Sequence, residues 1–220
     1  MGIEFIYDKQ SLLREAENKL RKQQEIRRTA NRDALASNEI NDCLLEASKI
    51  LSTEMKPDYR ICEVDVKTSG NSLTIGNYTI DNTPLSKVIK LDSKFYLYLI
   101  SLKYDSEKIM NTLNGDYVIY HFQHILGREA LFAMGREVHK KHCELYSNYV
   151  FKRHPIKMRK ESYETINPDD NCGEDNYWDP KIVTSLIDCF KGDRMGIKVT
   201  QSGCFSPLQT ILGVMVGNKI

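Results

Sequence analysis

The stretch Gly196-Ile197-Lys198-Val199-Thr200-Gln201-Ser202-Gly203-Cys204-Phe205-Ser206-Pro207-Leu208-Gln209-Thr210-Ile211-Leu212-Gly213-Val214-Met215-Val216-Gly217 decides how the chain is read. Two β-prone runs, 196–199 and 209–216, flank a segment carrying Gly203 and Pro207. The spacing predicts two strands joined by a Gly-Pro loop, a hairpin-like end to the chain. Ahead of it, residues 180–190 place apolar positions at helical spacing behind Pro180, which suits a first helical turn. Thr165-Ile166-Asn167-Pro168 and Trp178-Asp179-Pro180 bracket a polar loop before that helix. The last third therefore reads as an extended arm, a loop, a helix and a hairpin. An extended arm backed by a sheet edge offers free amides to a nucleoside or amino acid.

Working outward, residues 94–103 (KFYLYLISLK) form a dense β-prone run, read as a central strand buried on both faces. Residues 60–67 (RICEVDVK) alternate Ile61, Glu63 and Asp65 against Cys62, Val64 and Val66, and predict a strand. Residues 72–80 alternate around Gly76-Asn77, which predicts a hairpin. Residues 83–91, 106–113 and 116–148 read as helices. Val118, Ile119, Phe122, Ile125, Leu126, Phe132 and Val138 mark the expected buried side of the longest. Residues 38–54 repeat Ile40, Cys43, Leu44, Ala47, Ile50 and Leu51 at helical spacing, with Asn38 as N-cap and Pro57 beyond the end. Residues 8–28 are highly charged, with a thin stripe of Leu12, Leu13, Ala16, Leu20 and Ile26, and read as an N-terminal helical arm. Hairpins with flanking helices imply an α+β domain on an antiparallel-rich sheet. The division expected is an arm over 1–36 and a domain over 37–220.

The 220 residues suffice to bury a core without metals or disulfides. Thirty-one Lys and Arg against 30 Asp and Glu leave a net charge of +1, without the basic excess of a dedicated nucleic-acid binder. The apolar runs are too short to span a bilayer. Met1-Gly2-Ile3-Glu4 leads into a charged segment rather than a secretory leader, so the expectation is a cytoplasmic protein. The six cysteines stand at 43, 62, 143, 172, 189 and 204, too far apart in sequence for a C-x-x-C pair, and are expected as reduced thiols.

His121-x-x-His124 and His139-x-x-His142 each share a helix face, a spacing that metals use, but no H-E-x-x-H or Glu-x-x-His set accompanies them. The plainer reading is surface or half-buried histidines. Asp169-Asp170-Asn171-Cys172-Gly173-Glu174 lacks the order of a calcium loop and reads as a solvated turn. No P-loop, G-x-S-x-G or G-x-G-x-x-G occurs. No residue is nominated as catalytic and none as a metal ligand. The basic run 152–160 (KRHPIKMRK) has two readings: Lys152, Arg153 and Lys157 dock an acidic partner, or they protect an edge strand.

From Gly196 to Gly213, G-I-K-V-T-Q-S-G-C-F-S-P-L-Q-T-I-L-G resembles, without a gap, the closing pattern G-hydrophobic-x-L-T-E-S-x-x-M-x-P-x-x-S-hydrophobic-S-G. That pattern belongs to the activation domain of cobalamin-dependent methionine synthase and its short stand-alone bacterial relatives. Asn167-Pro168 and Trp178 stand where the family has R-x-x-P-G-Y, or N-P-G, ahead of a Trp and a helix. A weaker likeness extends over 38–220, including Leu73 to Gly76 and Glu129-Ala130.

The resemblance implies a C-shaped α+β domain that binds S-adenosylmethionine and presents it to cobalamin supplied by a partner protein. The partner would be a corrinoid-binding protein or methyltransferase, with a flavodoxin-like electron donor. It implies ligand contacts from Glu129, Thr165, Asn167, Pro168, Asp169, Asp170, Gln201 and Ser202. It also implies that arm, loop and hairpin build a shallow ledge. The chain departs from the pattern at several points. Thr165 replaces the arginine that pairs with the ligand carboxylate, and a threonine supplies no bidentate charged contact. Asp169 and Asp170 replace Gly-Tyr, and Gln201 replaces the glutamate. Two readings follow: a reactivation protein that uses S-adenosylmethionine, or a corrinoid-protein interaction module that has lost that ligand.

Overall fold

The computed structural model describes residues 8–30, 36–70, 72–76, 78–80, 88–90, 92–113, 116–155, 180–191, 194–200 and 204–220. Five helices and nine strands occur among them: α1 (Lys9–Ala30), α2 (Ala36–Glu54), β1 (Asp58–Glu63), β2 (Val66–Ser69), β3 (Ser72–Ile75), β4 (Tyr78–Ile80), β5 (Lys94–Ser101), α3 (Ser106–Thr112), α4 (Tyr117–Leu145), β6 (Tyr149–Pro155), α5 (Pro180–Asp188), β7 (Lys198–Val199), β8 (Phe205–Ser206) and β9 (Thr210–Lys219). The class is α+β. The chain divides into two compact units, one of Met1–Asp58 and Ser101–Val138, the other of Tyr59–Ile100 and His139–Ile220.

The first unit is helical, and aspartates set the starts of α1, α3 and α4. Asp8 accepts from the Gln10 amide at 3.0 Å. Asp105 accepts from Glu107 and Lys108, each at 3.0 Å. Asp116 accepts from Val118 and Ile119, each at 3.1 Å. Each bond satisfies an amide the helix cannot pair internally. The stripe Leu12, Leu13, Ala16 and Leu20 of α1 is buried, as are Leu44, Ala47, Leu51 and Met55 of α2 and Leu126, Ala130, Leu131, Ala133, Met134 and Val138 of α4. The helix over 38–54 begins two residues early, at Ala36, so Asn38 lies inside it and not at its cap. On α4, Val118 and Phe132 are exposed although the sequence places them on the buried side. The helix is instead buried along Gln123, Leu126, Ala130 and Met134, a run at three- and four-residue spacing that includes a polar member.

The second unit is built on a four-stranded sheet in the order β1-β5-β9-β6. β6 and β9 pair antiparallel with Phe151 opposite Gly217 and Lys152 opposite Val216. Alternation splits the sheet into two faces. Phe95, Leu97 and Leu99 of β5 and Leu212, Val214 and Val216 of β9 join Val183, Leu186, Ile187 and Phe190 from α5 and its end in one core. On the other face, Gly213 leaves room for the Tyr98 ring and Gly217 for the Phe151 ring. A Cβ at either glycine would fall within 2.2 to 2.3 Å of ring atoms, so any side chain there displaces an aromatic. A three-stranded meander, β2-β3-β4, adds Leu73 and Ile75 to the α5 core.

Three sequence expectations change here. The two closing strands do not pair with each other: β7 pairs with β8 in a two-stranded sheet, while β9 joins the four-stranded one. The β-prone pattern marks extended chain, not its partner, and Phe205-Ser206 is an additional strand between them. The run 60–67 breaks at Val64-Asp65 into β1 and β2 of different sheets, with the Val64 amide donating to the Phe95 carbonyl at 3.0 Å. Of the helix expected over 83–91, the described residues 88–90 are turn and coil. There the Lys90 amide donates to Ser93 Oγ at 2.7 Å.

Candidate functional site

Most of the ligand contacts that the resemblance implies, Thr165, Asn167, Pro168, Asp169, Asp170, Gln201 and Ser202, lie outside the described residues, as does Lys157. Glu129 is described. It sits on the inward side of α4 with its side chain 5% exposed, and Lys19 Nζ of α1 lies 2.6 Å from its Oε2. Arg128 adds a second cation at 3.6 Å from Oε1. A buried carboxylate needs such a cation, because an unpaired charge in the interior is costly. Glu129 is thus buried on α4 and paired with Lys19.

Lys152 and Arg153 are exposed on β6, at the edge of the four-stranded sheet. Consecutive strand residues point to opposite faces. Lys152 therefore shares the side of Val216, and Arg153 the side of Met215. The pair does not form one patch on one face. Of the expected ledge, the arm, the loop over 169–177 and residues 201–203 lie outside the described residues, while Leu212, Val214, Met215 and Val216 of β9 are buried as core.

The histidines separate by environment. His121 is exposed, His124 and His139 are half-buried, and His142 is buried. Among the described residues no group of three metal-ligating side chains converges. His142 lies in an aromatic box, with ring centroids 4.5 Å from Tyr96, 4.7 Å from Phe151 and 4.9 Å from Tyr146. Burial, with the neighbouring His139 and Lys94 charges, lowers its pKa to about 4 against a smaller opposing effect of Glu63. Beside the box, Tyr96 donates from its hydroxyl to Glu63 Oε2 at 3.2 Å, and Lys94 pairs with Glu63 at 3.4 Å. Lys94 also stands 5.4 Å over the Tyr146 ring and 5.7 Å over that of Tyr149.

This cluster borders a cleft of about 410 Å³ lined by Glu63, Val64, Asp65, Thr68, Lys90 and Lys94, among others. Sequence reasoning did not nominate it. The available signal was the alternation in 60–67, which sets Glu63 and Asp65 on one side; the contribution of Lys90 and Lys94 needed the fold.

No protein-family model matches the sequence, and no curated protein matches it. Among solved structures the chain is similar to the crystal structure of the MetH reactivation domain bound to AdoHcy, with a TM-score of 0.53 and 10% identity, over 84% of this chain and 67% of that one. The chain shares that domain's fold. The α+β class expected from the strand and helix pattern is thus matched by a known architecture, and the resemblance carried by residues 196–213 agrees with it at the level of fold. Among the described residues no helix is long and apolar enough to cross a membrane.

Proposed function

We propose that this chain is a reactivation-type domain that assists a corrinoid methyltransferase of the cytoplasm by holding S-adenosylmethionine or a related ligand against the cobalamin of that partner. The observation that carries the reading is the fold shared over most of the chain with a MetH domain bound to AdoHcy. The closing sequence pattern from Gly196 to Gly213 supports it. The chemistry of methyl transfer belongs to the cofactors, and the chain's own part is to bind and to position. A flavodoxin-like protein is the proposed electron donor.

Two observations favour a second reading, a docking module without the methyl donor. Thr165 stands where a charged contact to the ligand carboxylate would be, and Glu129 is occupied by Lys19. Calorimetric titration of the purified chain divides the two. Binding of S-adenosylmethionine or AdoHcy tighter than about 100 µM, roughly 5.5 kcal/mol, supports the first. An absence of heat at millimolar ligand removes it and leaves the docking module.

A further inference from the structure

We infer that the solvent face shared by α1 and α4 is a docking surface for an acidic amphipathic helix of a partner protein. The residues concerned lie in the first unit, and the inference does not rest on the proposed function. The two helices run antiparallel along a common seam. Glu15 meets Arg136 at 2.6 Å, and further along α1 Lys19 meets Glu129, farther back along α4.

The exposed row of α1 consists of Ser11, Arg14, Glu15, Asn18, Lys19 and Lys22, which line a shallow trough. The neighbouring outward row of α4 is Arg128, Phe132 and Arg136, each one turn from the next. Within the two rows Glu15 neutralises Arg136, and the buried Glu129 beneath neutralises Lys19. Arg14 and Lys22 have no hydrogen bond or ion pair among the described residues. Arg128 approaches only the Glu129 carboxylate that Lys19 already holds, at 3.6 Å. Arg14, Lys22 and Arg128 are therefore surplus cations on one face of a chain whose net charge is +1. Phe132 lies between the rows. Lys19 Nζ stands 6.0 Å from its ring centroid, and Phe132 is still 43% exposed.

Charge and spacing name the occupant. Arg14 to Lys22 and Arg128 to Arg136 are each two turns of helix, about 12 Å. Carboxylates one and two turns apart on a partner helix match both rows. An apolar residue between those carboxylates covers Phe132 and withdraws it from water, as in other helix-in-groove contacts. The surrounding cations then set register and exclude a basic partner. A nucleic acid suits the face less well, because the exposed Glu15 carboxylate repels phosphates and a net charge of +1 gives a polyanion little long-range attraction. A bilayer suits it less well too, since a single aromatic among charges offers little to insert.

The test is amide chemical-shift titration of the full chain with a synthetic amphipathic helix of about five turns, leucines on one face flanked by glutamates. The controls are the same peptide with lysine for glutamate, a single-stranded oligouridylate, and phosphatidylserine vesicles. The acidic peptide is expected to shift resonances of α1 and α4 with a Kd of about 100 µM at low salt, and to bind less tightly as salt screens the charges. Arg14→Glu with Lys22→Glu should weaken it about tenfold, and Phe132→Ser, also at an exposed position, by about the same factor. Lys198→Glu on β7 should leave it unchanged. No shifts at about tenfold above that Kd, equal binding of the lysine peptide, or binding that neither the double reversal nor Phe132→Ser alters overturns the inference. Tighter binding of the oligouridylate or the vesicles overturns it in favour of that occupant. None of these variants alters a residue implied for S-adenosylmethionine, so either proposal can fail without the other.

Discussion

His142 shows how a single buried side chain couples stability to pH. Its ring is enclosed by Tyr96, Tyr146 and Phe151, and its pKa in the folded chain is about 4 against an ordinary value of 6.5. As pH falls below 6.5 the unfolded chain takes up the proton first, so the folded state loses stability down to about pH 4. Above pH 6.5 the ring is neutral in both states and the proton linkage adds no further pH dependence. At pH 5 the loss from this residue is about 2 kcal/mol. His142→Phe keeps an aromatic ring in the box and removes the proton site. Its urea midpoint should fall less between pH 7 and pH 5 than that of the parent chain. His124, His139 and His154 are also lowered by burial, but they are common to both proteins and cancel in the comparison. Equal acid sensitivity of the two would show that His142 is not the group responsible. The i, i+3 pairing of His139 with His142 was legible in the sequence. The aromatic box was not, because its rings come from positions 96, 146 and 151, which only the folded sheet and helix bring together.

At the scale of elements, α1 is joined to the rest of its unit by polar contacts above an apolar stripe. Glu15 accepts from Arg136 at 2.6 Å, Arg21 donates to Asn41 at 2.8 Å, Ser48 donates to Glu17, and Lys19 pairs with Glu129. The exposed pairs contribute little each. The Lys19–Glu129 pair differs, because one partner is buried. Lys19→Ala leaves a carboxylate in the interior with, among the described residues, Arg128 as its remaining cation, at a cost of about 2 kcal/mol. Glu129→Gln in the Lys19→Ala background removes the charge and should recover most of that loss. Denaturant unfolding of the two variants checks it, and a double variant no more stable than Lys19→Ala would show that the charge is not the cause. The stripe of α1 was readable from spacing alone. The partner of Glu129 was not, because the two residues are 110 positions apart and nothing in either local pattern refers to the other.

For the whole molecule, a net charge of +1 leaves docking to local patches. Under the proposed function, Lys152 and Arg153 on the edge strand β6 steer an acidic corrinoid-carrying partner. Lys152→Glu and Arg153→Glu together should weaken capture of that partner, most strongly at low salt, where screening is least. Capture unchanged by the double reversal would dispose of this docking edge. The sequence by itself determined the five described helices, whose apolar spacing is local, though not the one expected over 83–91, together with the central run 94–101 and the fold class. It also supplied, through residues 196–213, the likeness that the shared fold matches. Tertiary structure alone decided which strand pairs with which, that β7 and β9 belong to different sheets, and that Val118 and Phe132 face outward. Strand and helix patterns fix which side of an element is apolar, whereas the identity of the neighbour depends on contacts between residues far apart in the chain.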